Sequence, residues 1–412
     1  MPALTLRQKL AILADAAKYD ASCASSGTSR RHSLGGRGIG STEGMGICHS
    51  YAPDGRCISL LKILLTNFCQ FDCAFCINRR SSNVRRARFT VDEVVRLTLG
   101  FYARNYIEGL FLSSGIIRSP DYTMEQLVRV ARTLRQAHDF RGYIHLKAIP
   151  DASPELVREA GLWADRLSLN IELARPQSLA ALAPEKDAGR IEGSMARLGA
   201  EIAEAREAGR RFRHAPRFAP AGQSTQMIVG ADPADDLAIL GAADRLYRRH
   251  AMRRVYYSAY SPIPDASATL PPAPPPLARE HRLYQADWML RFYGYSLADL
   301  AAAAPGGHLP LDRDPKLAWA LANRASFPVD VNRAPREMLL RVPGIGPKVA
   351  ARILASRRQR TLRFADLARL VASPAKVKPF VETPDWSPSR LLDSPALEAA
   401  VAEPPRQLSL FG

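Results

Sequence analysis

The 412-residue chain lacks any run of 18 apolar residues, so hydropathy gives no membrane-spanning helix. Its opening, MPALTLRQKLAILADAAKYD, lacks the basic start, apolar core and small-residue cleavage site of a secretory leader. These absences set the expectation of a cytoplasmic protein with no membrane partner. Cysteine is scarce, with six residues at 23, 48, 57, 69, 73 and 76. In a reducing compartment, clustered cysteines point to metal binding or catalysis more than to disulfides. Acidic residues are the minority, 40 against 57 Lys and Arg, which leaves a net charge of +17. That excess suits a polyanionic partner, because each phosphate contact releases counterions. An Ala- and Arg-rich, Lys-poor composition also accompanies a genome rich in G and C. The 47% hydrophobic and 24% charged fractions are those of a globular chain, and the length suggests two or three domains.

No long internal repeat is present, and the pattern changes along the chain instead. Residues 1–57 give a helix near 5–19 and then a Gly/Ser-rich stretch that cannot build a core of its own. That stretch must lie over another domain, bind something or be mobile. Residues 58–270 alternate strand-length apolar runs with helix-period segments. Strands are expected at 60–65, 109–112, 143–147, 165–171, 225–229 and 255–259, with helices between them. Six such units predict an α/β fold, a partial (βα)6 barrel whose ligand site sits at the carboxyl ends of its strands. PPAPPP (271–276) opens a stiff connector, and an aromatic-rich helical segment carries on to residue 320. Residues 321–385 are expected to form a small all-α domain, and 386–412 a flexible polar tail.

Directly after the first strand stand Cys69, Cys73 and Cys76, spaced C-x3-C-x2-C, with Phe75 before the third. A zinc ribbon would pair two C-x2-C knuckles, and no second knuckle exists. Three thiolates on one short loop can hold three irons of a cubane and leave the fourth open to a ligand. A structural zinc, or an iron–sulfur site of another kind, is the plainer alternative.

Here the sequence resembles the radical SAM superfamily, whose signature is C-x3-C-x-aromatic-C after the first strand of a partial βα barrel. The resemblance implies a [4Fe–4S] cluster on Cys69, Cys73 and Cys76. It implies S-adenosylmethionine bound at the open iron, and cleavage of its sulfonium to a 5′-deoxyadenosyl radical that abstracts hydrogen from substrate. A flavodoxin- or ferredoxin-like electron donor is implied as a partner. Phe75 would lie beside the adenine. Ser113, Ser114 and Gly115 stand where the superfamily usually has a Gly-Gly-Glu-like turn for the methionine amino group; the acid is missing here. Lys147 and Glu172 end later strands at the same mouth, and 227–230 (MIVG) resembles a glycine motif near adenine. An ordinary βα turn and plain strand-end charges are the alternatives. Cys23, Cys48 and Cys57 could ligate a second cluster, donate a hydrogen atom, or be small buried residues. Arg79, Arg80, Arg85, Arg86 and Arg88 follow the triplet, to meet a phosphate backbone or form a solvated face.

Positive charge concentrates further on, with 13 Lys/Arg against 3 Asp/Glu in residues 321–380. There, VPGIGPKVAARIL (342–354) joins two short helical patterns. Two glycines let the backbone approach a phosphate, and helix-start amides bind the anion. The segment resembles the helix–hairpin–helix of repair glycosylases and ligases, which implies DNA contacts by Gly344, Gly346, Lys348 and Arg352. Gln407, Leu408, Leu410 and Phe411, in QLSLF, resemble the peptide that docks bacterial repair proteins on the replication sliding clamp. A helix-packing module and a chance five-residue match are the alternatives.

Most of the chain resembles a bacterial family of DNA modification or repair radical SAM proteins. The expectation is a radical enzyme acting on a flipped or single-stranded nucleotide of DNA. The competing readings are an RNA-modifying radical SAM enzyme and a DNA-binding iron–sulfur redox sensor without catalysis.

Overall fold

The computed structural model describes residues 4–17, 47–51 and 57–401. They divide into two units, one of residues up to 234 with 245–275, the other of 235–244 with 276 onward. Cys23 and the QLSLF peptide, with Gln407, Leu408, Leu410 and Phe411, lie outside the described residues.

The first unit is built on a seven-stranded sheet in sequence order: β1 (Ile47–Tyr51), β2 (Cys57–Leu64), β3 (Gly109–Ser113), β4 (Tyr143–Lys147), β5 (Arg166–Ser168), β6 (Gln223–Val229) and β7 (Arg254–Ala259). Strands β2 to β7 are parallel, each neighbour pairing with the next. Between them in sequence come α2 (Val91–Ala103), α3 (Pro120–Gln136), α4 (Pro154–Trp163), α5 (Pro176–Leu182) with α6 (Ala188–Arg211), and α7 (Asp236–His250), whose residues up to 244 belong to the second unit, while α1 (Leu6–Ala16) precedes the sheet. Six parallel strands in this order form an open, partial (βα)6 barrel, as the alternation of strand and helix patterns predicts.

Local chemistry explains the elements. Thr90 caps α2 in a reciprocal box with Glu93, and Ser119 caps α3 with Pro120 in its first turn. That cap starts α3 at Pro120, ahead of the apolar periodicity, which begins at about Met124. One strand face is fully buried and mostly apolar, with Ile63, Leu112, Leu146, Leu167, Met227 and Val255 on it and Gln223 and Thr225 as polar members. Such continuous burial is what parallel strands require.

Strand β1 adds to the six strands read from the sequence. Part of the Gly/Ser-rich extension pairs antiparallel with β2, Ile47 opposite Leu61 and Tyr51 opposite Cys57. Cys48 on it is 1% exposed and packs with Ile58 and Leu60, so it is a small core residue.

The second unit contains α8 (Leu277–Phe292), α9 (Leu297–Ala302), α10 (Pro315–Ala322), α11 (Arg336–Arg341), α12 (Pro347–Ser356), α13 (Phe364–Leu370), α14 (Pro374–Val377), α15 (Ser389–Leu392) and α16 (Ala396–Val401). It is not purely helical: the two-residue strands β8 (Val329–Asp330) and β9 (Val381–Glu382) pair in parallel. The segment read as the start of a flexible tail instead folds into α15 and α16, with Leu392 and Leu397 buried. No helix among the described residues is long and apolar enough to cross a membrane.

Candidate functional site

The Cys69–Cys76 loop leaves β2 at its carboxyl end and is held by backbone groups. Gln70 N donates to Ile116 O, Ala74 N to Leu182 O, and Cys76 N to Cys73 O. Gly115 belongs to this scaffold. A Cβ there would stand 2.2 Å from Phe68 O and 3.3 Å from Cys69 Cβ, so only glycine lets the β3 turn meet the loop. Arg86 donates to the carbonyls of Asn67, Asn78, Arg79 and Ser82, closing the chain that follows the triplet. Arg79 is buried and donates to the carbonyls of Cys76, Pro264 and Asp265. These two arginines are internal staples and not part of a phosphate-facing surface; Arg80 and Arg85 are exposed.

All three thiols border one cavity of about 150 Å3. Phe75, Ser114, Gly115, Lys147 and Glu172 line it as the sequence led us to expect. Ser113 is buried in β3 and does not line it. Gly230, at φ +81, faces Pro275, so Ile228 alone of its stretch reaches the cavity. Asn170, Lys186 and Gln226 also line it, and sequence reasoning missed them. Leu64, Lys147, Asn170 and Gln226 come from four different strands or strand ends, which meet at one cavity because the sheet curls.

The polar side of the cavity is tightly wired. Asn170 Nδ2 donates to Gln226 Oε1 at 2.9 Å, and Lys186 Nζ lies 2.6 Å from Glu172 Oε1. Glu172 sits at φ +64, a region that non-glycine residues seldom occupy. It is held there from both sides: its N donates to Gln226 O and its O accepts from Ile228 N. Burial alone would lower the Lys186 ammonium, but Glu172 and the thiols of Cys73 and Cys76 outweigh it and raise it above the usual lysine range.

Burial pushes the Cys73 thiol up to about 12 and the Cys76 thiol up to about 11. These sulfurs stay protonated until a cationic group displaces their protons. Among the described residues, no three or more His, Cys, Asp or Glu side chains converge to hold a metal ion. The donor set suits a multinuclear cluster better, because its corners hold thiolates apart around one body. Two of the sulfurs already have amide donors aimed at them, Ile116 N to Cys69 Sγ at 3.5 Å and Asn78 N to Cys76 Sγ at 3.4 Å. Hydrogen bonds to sulfur are one of the levers a protein uses to tune such a cluster.

In the second unit, α11 and α12 flank a turn in which Gly344 has φ +86 and Gly346 is the N-cap of α12. Lys348 and Arg352 are exposed on α12. Lys316, 8% exposed, donates from behind to the Ile345 carbonyl of this turn.

No protein-family model matches the chain, and no curated protein does. Solved structures align with part of it. The FeFe-hydrogenase maturase HydG from Carboxydothermus hydrogenoformans is 16% identical over 55% of this chain and 50% of its own, with a TM-score of 0.43. SuiB from Streptococcus suis is 11% identical over 54% and 45%, with a TM-score of 0.40. Coproporphyrinogen III oxidase (HemN) from Escherichia coli, described as a radical SAM enzyme, is 16% identical over 54% and 50%, with a TM-score of 0.33. The aligned part spans about half the length of each of these chains. At that distance, the fold assignment stands on the strand order and not on the alignments.

Proposed function

We propose that the chain is a radical S-adenosylmethionine enzyme acting on nucleotides of DNA, to repair or modify them. The observation that carries the reading is the convergence of Cys69, Cys73 and Cys76 on one cavity at the carboxyl ends of six parallel strands. These cysteines would hold a [4Fe–4S] cluster. When bound, the cluster and S-adenosylmethionine supply a 5′-deoxyadenosyl radical for hydrogen abstraction.

The chain's own residues prepare the place. Burial keeps bulk water from Cys73, while Cys69 and Cys76 are partly exposed. The apolar side, where Phe75 packs with Leu173 and Tyr260, offers a surface for an adenine ring. The opposite side presents fixed polar groups on Asn170, Glu172, Lys186 and Gln226 for hydroxyl, amino and carboxylate groups. The Glu172 carboxylate, ion-paired with Lys186, offers acceptor oxygens to a bound group.

The DNA part of the reading rests on the second unit. The glycine turn, the exposed Lys348 and Arg352 and the local excess of positive charge suit a helix–hairpin–helix that grips phosphates without reading sequence. Docking on a sliding clamp through the terminal QLSLF, and reduction by a flavodoxin- or ferredoxin-like donor, complete the proposal.

The test is anaerobic reconstitution, reduction with S-adenosylmethionine, and assay of 5′-deoxyadenosine with and without DNA. Production that DNA stimulates and that Cys73→Ala abolishes, together with loss of cluster absorbance, is the expected result. A fully loaded protein that makes none would overturn the enzymatic reading in favour of a cluster-bearing sensor.

A further inference from the structure

The strands of the barrel have two faces, and their cationic side chains stand on only one. On the face opposite Ile63, Leu112, Leu146 and Leu167, cationic and polar groups stand among the apolar Leu60, Leu64, Phe111 and Ile228. The strand register places Lys62, Phe111, His145 and Arg166 in one row across β2 to β5. Above it, Lys147, Ser168, Ser224 and Arg254 form a second row across β4 to β7. Asn170 and Gln226 continue this face into the thiol-lined cavity. The six parallel strands contain no Asp or Glu at all.

These groups are interlocked. Lys62 Nζ lies 5.7 Å from the centre of the Phe111 ring, and that ring stacks on His145 at 4.3 Å and 6°. His145 Nε2 is 3.1 Å from Ser168 Oγ. Arg166 donates to Tyr256 Oη at 3.2 Å and to Ala221 O at 3.3 Å. Two atoms are left over: Arg166 Nε and Ser224 Oγ are buried without a hydrogen-bond partner. Arg166 is 4% exposed and makes no ion pair among the described residues. A buried guanidinium with an idle donor, and an idle hydroxyl one row up on the neighbouring strand, are costly unless an acceptor completes them. Phe111, Tyr143, Arg254 and Tyr256 on the same face are only partly buried.

We propose that Arg166 and Ser224 bind a phosphate group of the substrate nucleotide at the end of the strands remote from the thiols. The chemistry is that of a planar guanidinium fork and a hydroxyl meeting phosphate oxygens. Asn170 lies four residues beyond Arg166, about 13 Å along an extended strand. A nucleotide anchored by its phosphate at Arg166 therefore directs its sugar and base towards the cavity. The inference deepens the nucleotide reading above and does not depend on radical chemistry.

Binding to the full-length, cluster-free protein tests it, by calorimetric titration with inorganic phosphate, a deoxynucleoside, its 5′-monophosphate and a short single-stranded oligonucleotide. Saturable binding of the monophosphate and not of the nucleoside is expected, weakened about tenfold or more by Arg166→Gln. Ser224→Ala should weaken it while leaving thermal stability unchanged or raised, since it removes an unsatisfied buried hydroxyl; it decides the matter if Arg166→Gln does not fold. Lys348→Gln removes the competing phosphate contact of the second unit, so monophosphate binding that persists in it belongs to Arg166 and Ser224. Stronger binding of the oligonucleotide than of the monophosphate in the Lys348→Gln background places the phosphate in a strand, and the reverse order places it on a free nucleotide. No saturable binding, or binding lost with Lys348→Gln and kept in Ser224→Ala, overturns the proposal. A protein that binds the monophosphate in this way yet forms no 5′-deoxyadenosine refutes the radical reading alone.

Discussion

At the scale of single residues, the thiol cavity turns on one ion pair. Glu172 is 7% and Lys186 17% exposed at the side chain, so each neutralises a charge that the cavity could not otherwise hold. Glu172→Gln strands the Lys186 ammonium in a buried site. The expected cost is about 3 kcal/mol of unfolding free energy. Denaturant titration measures it, and adding Lys186→Met should recover most of the loss. The same change should bring the Cys73 thiol down, because Glu172 raises it and Lys186 lowers it. Alkylation rates against pH would show this, and a rate profile that does not move would mean the pair is not felt at the sulfur. Glu172 and Lys147 were legible in the sequence because they end strands. Asn170 and Gln226 carry the same signal, since each lies on the face of its strand that leads to the cavity. Lys186 carries none: it stands in a short link between α5 and α6, and only the folded chain brings it to Glu172.

At the scale of elements, the triplet loop is shaped by residues that touch no ligand. Arg86 serves four carbonyls from two directions, which requires a planar fork. Arg86→Lys should therefore fail to hold the loop. We expect iron incorporation per protein to fall severalfold, with secondary structure retained by circular dichroism. Unchanged iron content would show that the loop is shaped by its own backbone bonds. In the sequence Arg86 could not be told from its neighbours Arg80 and Arg85, because a run of arginines reads equally as a surface and as a set of staples. Strand β1 was hidden for a related reason: ICHSY is short and flanked by glycines, and its partner β2 decides its conformation. The barrel strands were plain, because their apolar runs are buried whichever helix covers them.

At the scale of the whole molecule, the second unit carries a buried lysine, Lys316, whose ammonium is strongly shifted. Burial, with Lys376 adding to it and Asp314 opposing, brings the Lys316 ammonium down to about 7 from an ordinary 10.5. Between these values the unfolded chain keeps a proton that the folded unit has released. Folding stability should therefore rise with pH from about 7 to about 10 and be level below 7. Lys316 also lies 4.9 Å from the centre of the Tyr293 ring, and Lys376 pairs with Asp314. Scanning calorimetry of the full chain at pH 7 and 9 should show an upward shift in the second unit's transition. Lys316→Met should flatten it, and an equal shift in the variant would assign the slope to other groups. Sequence alone marks the glycine turn by its spacing, but not the lysine beneath it, since Lys316 lies 29 residues from the carbonyl it meets.

Because β1 covers the free side of β2, the order of synthesis matters. A parallel strand must wait for its βα partner, whereas residues 47–64 complete an antiparallel pair as soon as they emerge from the ribosome. The growing chain can thus shield the first exposed row of backbone amides and carbonyls before any βα unit exists. Without that hairpin, β2 would offer a template for pairing between nascent chains.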